Sequence, residues 1–330
     1  MTTSTRDISS GSGRQREGSP WTGLPTIALK ELTDQLGSAR IRILAALIIL
    51  TAIGATYIAI QELKQTVAED PFIFLRLLTA ARDPLPSFLS FLTLFVPLTA
   101  ITLGFDGING ERSRRTLPRI LAQPIYRDAL ILAKFLAGLA TLAVMLLALW
   151  LLVTGLGLIE LGVAPSGEEV LRGLAFLAVT LAYAGVWLGL ALLCSVLFRQ
   201  PATSALAAVS VWLVFAFLWP VLIDVGTQAL QLKSLGFQTS GLDVAQLQLA
   251  LSRISPNTIF GEVALALLHP ATRSLGPILF SQLEGAVLGT PLPFSQSLML
   301  VWPQITGLVA AMIAILTVTY ISFQRQEIRS

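Results

Sequence analysis

Residues 107–138 read GINGERSRRTLPRILAQPIYRDALILAKFLAG. Arg112, Arg114, Arg115, Arg119, Arg127 and Lys134 fall within it, although the 330-residue chain has only 22 basic residues. Apolar runs flank the stretch on both sides, and that contrast decides the fold class. Hydrophobic residues make up 54% of the chain and charged residues 12%, with a mean hydropathy of +0.76. A soluble domain carries about a quarter charged residues, so this chain belongs in a bilayer. A hydrocarbon core about 30 Å thick requires about 20 apolar residues of helix. Six stretches meet that requirement, at 41–60, 88–105, 129–161, 170–198, 201–225 and 298–323. The predicted fold is all-α, a polytopic membrane protein with six transmembrane helices.

Lys and Arg collect in cytoplasmic loops, so charge counting orients the chain. With the N-terminus inside, the inner segments hold 15 of the 22 basic residues but only 8 of the 19 acidic ones. The short loop 160–169 (ELGVAPSGEE) on the opposite side has acids and no base. Both termini are therefore expected in the cytoplasm, in a multi-pass protein of the plasma (inner) membrane. The pI near 9.3 comes from basic residues scattered through short inter-helix segments, which points to the lipid bilayer and away from nucleic acid.

The first 23 residues are polar and Ser/Gly-rich, with no apolar stretch of signal type, and read as a disordered cytoplasmic tail. Residues 24–40 follow, with Leu29, Leu32, Leu36, Ala39 and Ile43 recurring at helical spacing and Lys30, Glu31, Asp34 and Gln35 off that stripe. This pattern predicts an amphipathic helix at the inner membrane surface; a soluble helix packed on a partner domain is the other reading. The six-span domain occupies 41–325, and 326–330 form a short cytoplasmic tail. Within the domain, an outer insert at 226–297 carries two apolar-rich helices too short to span. The first has Val244, Leu247, Leu251 and Ile254 on one face; the second starts at a cap on Ser255 or Asn257 and ends at Pro270. They read either as interfacial or re-entrant helices, or as a compact outer cap.

Several chemistries find no residues to support them. No GxxxxGK[ST] loop is present to cradle phosphates. One histidine, His269, and one cysteine, Cys194, make neither a catalytic set nor a metal cluster, and a single cysteine forms no intrachain disulfide. By these boundaries no ionisable residue lies at the centre of a span, which argues against ion-coupled transport. Arg42, Asp106, Lys134, Glu160, Arg172, Arg199 and Asp224 all lie near span ends, where long side chains can snorkel. Gly185 and Gly189 form a GxxxG in the fourth span, with Gly138, Gly155 and Gly157 in the third, so close packing of these two helices or a subunit contact is expected there. Trp21, Trp219 and Trp302 read as interface anchors.

A membrane chain without an ATP or ion site can still be driven by a soluble partner. That requires a short rigid element running directly into transmembrane helices. Residues 106–128 fit the description: Gly107 and Gly110 permit a sharp turn, Pro118 and Pro124 cut the segment into short rods, 111–117 can form a helical turn, and Asp128 can cap the third span. A plain positively charged topogenic loop is the simpler reading.

The order Glu111, Thr116, Leu117, Ile120, Leu121, Gln123, Pro124, Arg127, Lys134 and Gly138 resembles the segment after the second helix of ABC-2 type (type V) exporter permeases. It is most similar to those grouped with multicopper-enzyme maturation, such as the membrane subunit of the transporter serving nitrous-oxide reductase assembly. Two positions depart from that pattern: Arg115 stands where the family usually has Gly, and Pro118 where it usually has a helix former. The resemblance implies that Gly110, Glu111, Arg112, Arg114, Arg115 and Thr116 form a coupling helix docking an ABC ATPase (nucleotide-binding) subunit, on which ATP and Mg would be bound. It also implies a second permease copy, as a homodimer. This chain would be no enzyme, with no catalytic residue and no cofactor or metal of its own. The substrate ligands are unknown. Export or extraction of a substrate, with apolar walls suggesting a hydrophobic one, is the expected activity; a mechanotransmitter acting through its outer segment on a periplasmic or extracellular accessory protein is the alternative. A membrane scaffold without energy coupling would leave the 106–128 segment unexplained.

Overall fold

A computed structural model describes residues 23–66, 72–80, 87–115, 127–234, 241–272, 275 and 291–325. Regular structure among them is entirely helical. In chain order the helices are α1 (Leu24–Gly37), α2 (Ala39–Thr66), α3 (Ile73–Thr79), α4 (Phe88–Gly104), α5 (Asn109–Ser113), α6 (Arg127–Leu161) and α7 (Gly167–Leu197). Then come α8 (Pro201–Leu213), a π-turn at Val214–Leu218, α9 (Trp219–Ser234), α10 (Gly241–Ser252), α11 (Pro256–Leu268) and α12 (Phe294–Gln324). Among the described residues six segments are long and apolar enough to cross a bilayer: Ala39–Lys64, Phe88–Ser113, Ala129–Leu161, Gly167–Leu197, Pro201–Ala229 and Phe294–Gln324. The six expected spans are thus present.

α7 is the central helix. Two thirds of its apolar window (67%) is buried inside the chain, against 17% for the fifth span and 11% for the sixth, so those two show most of their apolar surface to the outside. It starts at a capping box, where Ser166 Oγ accepts the Glu169 N–H and Glu169 Oε2 accepts the Ser166 N–H at 2.8 Å. Such a cap contributes about 1 kcal/mol. The same buried carboxylate also accepts the Phe74 N–H at 2.8 Å, so Glu169 satisfies an orphan donor in the first turn of α3 as well.

The described part of the insert folds back against the spans as a helical hairpin. α10 returns along α9, with Gln248 Nε2 on Asp224 and Trp219 Nε1 on the Leu251 carbonyl at 3.0 Å. The chain turns at 253–255, and α11 runs back along α7. Asn257 accepts a 2.6 Å hydrogen bond from Tyr183, the seventeenth of 31 residues in α7; Phe260 stacks on the Tyr183 ring at 4.4 Å; and the Leu267 carbonyl reaches Arg172 near the start of α7. The hairpin tip therefore reaches the middle depth of α7. Ser255 is the N-cap residue of α11, but its hydroxyl makes no cap bond and donates to the Phe215 carbonyl in the π-turn. A π-turn leaves carbonyls displaced from the α-helical ladder, and the hairpin tip satisfies one of them. Trp219 is thus a pin for this hairpin, whereas Trp302 is 59% exposed; Trp21 lies outside the described residues.

The close helix crossings involve other partners than expected. A Cβ on Gly185 would strike Met312, and one on Gly189 would come within 3.2 Å of Ile315, so the GxxxG face meets α12 within the same chain. Gly138 does press on α7, facing Leu188, while Gly157 faces Leu77 and Phe74 of α3 and Gly155 faces open space. The tightest backbone contact is at Gly104, the last residue of α4, whose added Cβ would lie 2.8 Å from Ala191 Cβ and 3.0 Å from the Leu188 carbonyl.

Candidate functional site

One end of the molecule gathers α1, the α5 turn, the start of α6 and the end of α12. Ile108, Leu130, Ile131, Val196 and Phe323 form a separate small core there, with Ile27 packed against it. The first and last described helices therefore meet at the same end as the turn. Ser195, near the end of α7, sets the position of that turn: its hydroxyl oxygen accepts the N–H groups of Ile108 (2.9 Å) and Asn109 (3.2 Å). Asn109 is fully buried and donates its side-chain amide to the Phe198 carbonyl. Two backbone donors that α5 cannot satisfy internally are thus taken up by α7.

Lys134 is the charged centre of this end. It is 6% exposed, and its ammonium lies 2.6 Å from Glu111 Oε1 on α5 and 3.0 Å from Glu31 Oε1 on α1. One turn further along α1, Gln35 accepts the Thr141 hydroxyl of α6 at 2.8 Å. The successive contacts of Ile27, Glu31 and Gln35 step along α6 in the same direction as the chain, so α1 lies lengthwise against that helix. This revises the expected amphipathic face. Glu31 and Gln35, predicted to lie on the polar side, point into the protein, while Leu29 (63% exposed), Leu36 and Ile43 face outward.

Between α1, α4, α5 and α6 lies a cavity of about 730 Å³ with Leu103 and Leu192 in its wall and charges of both signs around it. Arg40 closes one side through a 2.6 Å ion pair with Asp106 while its guanidinium sits over the Phe105 ring. Lys30 pairs with Asp34 at 3.2 Å. Partial burial disfavours its charge, but the hydrogen bond to Asp34 and the fields of Glu31, Asp34 and Glu111 prevail and raise its pKa above the usual lysine value.

The sequence-predicted coupling residues separate into two groups. Gly110 and Glu111 line the cavity, and the Glu111 carboxylate is turned toward Lys134. Arg112 is half-buried, whereas Arg114 and Arg115 are exposed. Arg115, the arginine at a position where glycine was expected, has φ of +57°, in the left-handed region that favours glycine. Thr116, Leu117, Pro118, Ile120, Leu121, Gln123 and Pro124 lie outside the described residues, as do the side chains of Arg127 and Asp128.

Two charges placed near span ends do not snorkel. Lys134 is buried between carboxylates, and Arg172 is 0% exposed. The Arg172 guanidinium donates to the carbonyls of Leu267 and Leu292 and to the Ser297 hydroxyl, pairs with Glu168 at 2.9 Å, and lies near the rings of Phe72 and Phe294. Short acceptors surround it on all sides, which removes any need for water. Arg253 is a third charge that sequence reasoning missed. At the hairpin tip it pairs with Glu262 at 3.0 Å, and Gln304 of α12 donates to the same carboxylate. Its depth depends on the hairpin, and no local signal carries it. His269 is the residue capping the end of α11, and Cys194 is buried. Among the described residues no cluster of His, Cys, Asp and Glu is arranged to hold a metal.

Six apolar spans with a charged turn clamped at one end define a multi-pass membrane protein of the permease class. The chain belongs to the ABC-2 family of transporter proteins, whose pattern matches residues 25–328. It is similar to a probable ABC transporter permease protein NosY of Pseudomonas aeruginosa, at 28% identity over 201 residues, covering 59% of this chain and 67% of that protein. A NosY of Stutzerimonas stutzeri is 28% identical over 204 residues, covering 60% of this chain and 68% of that relative. The chain is therefore the membrane subunit of an ABC transporter, which in bacteria sits in the inner membrane, and its family implies an ABC ATPase partner.

Proposed function

We propose that this permease converts ATP hydrolysis by a separate nucleotide-binding subunit into movement of its helices, and that the α5 turn is where the two subunits meet. ATP and Mg are held by the partner, both termini lie in the cytoplasm, and the working unit contains two permease copies as a homodimer. α1 lies lengthwise against the cytoplasmic end of α6, with Leu29 and Leu36 toward lipid. The surface offered to the ATPase is the exposed pair Arg114 and Arg115 with half-buried Arg112, while Glu111 holds the turn from behind.

The observation that carries this reading is the Ser195 clamp. A turn whose first two N–H groups are bonded to α7 transmits a push to the central helix instead of flexing away from it. The activity is export or extraction of a substrate, with the apolar walls of the spans favouring a hydrophobic one.

A second reading has a specific observation behind it. α7 carries Ser195 at one end and Arg172 at the other, about 35 Å apart at 1.5 Å per residue, and Arg172 grips the helical hairpin and the segment leading into α12. A push on the turn would therefore reach the outer insert, where it could act on a periplasmic or extracellular protein without moving substrate.

The experiment is co-purification of the permease with its ABC ATPase partner, followed by ATPase assays in lipid discs. Charge reversal at Arg112 and Arg114 should leave membrane insertion intact and abolish stimulation of the ATPase by the permease. Full stimulation in those variants, or labelling of residue 113 from the outer side of sealed cells, would rule the coupling assignment out.

A further inference from the structure

We propose that Lys134 is a positioning residue that ties α1 and the α5 turn to α6, so that the three move as one body when the turn is pushed. Glu31 and Glu111 come from helices far apart in sequence, yet both carboxylates meet the same buried ammonium, at 3.0 and 2.6 Å. The two acid oxygens can be no further apart than those distances allow. Only the cation between them makes that approach favourable, since like charges so close and so poorly hydrated repel strongly.

Lys134 gives α1 a direct, buried charged tie to the turn, and Glu111 also acts on Lys30 of α1 through its field. The neighbouring ion pair, Lys30 with Asp34, is internal to α1. Arg40 reaches Asp106 from the next helix and is half exposed, so that tie is screened by solvent. Below Lys134 the Gln35–Thr141 hydrogen bond keeps α1 on α6 but does not involve α5. The Ser195 clamp holds α5 to α7 without touching α1. Ile27 of α1 also packs on the small core that includes Ile108, an apolar contact without fixed direction, so Lys134 is the charged link between α1 and the turn, and the rigid unit receiving the push is larger than the five residues of α5.

The first test needs no partner. In a Cys194→Ala background, spin labels at Leu29→Cys on α1 and Ser113→Cys on the turn, both exposed positions, report the α1–α5 distance in lipid discs. The proposal expects one narrow distance distribution for the parent chain, a broader and longer one for Lys134→Met, and a return to the narrow one for Lys134→Arg. Should Lys134→Met fail to insert, Glu31→Gln, which removes only the α1 side of the tie, is expected to broaden the distribution. An unchanged distribution in the variant that inserts overturns the proposal, as does a Lys134→Arg distribution as broad as that of Lys134→Met.

The second test rests on the coupling reading above. In the complex, Lys134→Met is expected to lower permease-stimulated ATPase activity about tenfold, an ordinary size for coupling between sites, while co-purification persists. Unchanged stimulation would overturn the mechanical role of the tie. If the parent permease stimulates no ATPase at all, the coupling reading fails, and the distance measurements still decide whether Lys134 holds α1 and α5 together.

Discussion

Ser195 Oγ accepts the Ile108 N–H at 2.9 Å, a bond between the central helix and the turn that precedes α6. The same oxygen also accepts the Asn109 N–H. Ser195→Ala leaves two buried backbone donors unsatisfied, at about 1–3 kcal/mol each if water does not enter. Faster amide hydrogen exchange across 107–115 is the expected result, with exchange in the hairpin at 241–268 unchanged. Ser195→Thr, which keeps the hydroxyl, should exchange more slowly than Ser195→Ala.

Arg172 makes the matching prediction for the other end. Breaking a buried charge network by removing one member costs about 3–5 kcal/mol, and here the carbonyls of Leu267 and Leu292 would lose their donor. Arg172→Met is expected to lower the thermal midpoint of the purified chain by several degrees. It should also make cysteines introduced in α11 reactive toward water-soluble maleimide. Lys cannot reproduce the guanidinium fork, so Arg172→Lys should fall between Met and the parent. Equal midpoints for all three chains would show that the hairpin is held by packing alone.

The glycines give a prediction with a sign that depends on what stands opposite. Gly185→Ala points its methyl at the flexible end of Met312, which can swing aside. Gly104→Ala points at Ala191 Cβ and the backbone of Leu188 and Leu192, which cannot. Overpacking of that kind typically costs about 1–3 kcal/mol, so Gly104→Ala should lower stability markedly while Gly185→Ala stays close to the parent. Thermal unfolding in one detergent compares them directly, and the reverse order would mean that α12, not α4, is the tighter neighbour of α7.

Arg115 separates a conformational role from an electrostatic one. A left-handed residue other than glycine costs about 1–2 kcal/mol, so Arg115→Gly should relieve strain at the end of the turn and slow limited proteolysis there. Arg115→Val, branched and uncharged, should speed it. If the arginine also contacts the ATPase, Arg115→Gly will stabilise the isolated permease and still weaken assembly, which co-purification would show.

The number of spans and the presence of two short helices in the insert were legible in the residues themselves. Each is a local property: about 20 apolar side chains in a row need no partner to specify a span, and helical periodicity shows in a window of a dozen residues. The family pattern around 107–138 was equally local, being a run of contiguous residues.

What only the tertiary structure decided was burial and direction. Glu111 turns inward because Lys134 pairs with it directly, and the polar edge of α1 becomes its protein face because α6 places Lys134 and Thr141 opposite. Arg172 loses contact with water because Leu267, Leu292 and Ser297, some 95 to 125 residues away, supply its acceptors. The hairpin reaches mid-depth because Tyr183 and Phe215 receive its tip. The solvation of a charge and the clearance of a glycine depend on what lies across from them, and in this protein that neighbour comes from a distant part of the chain.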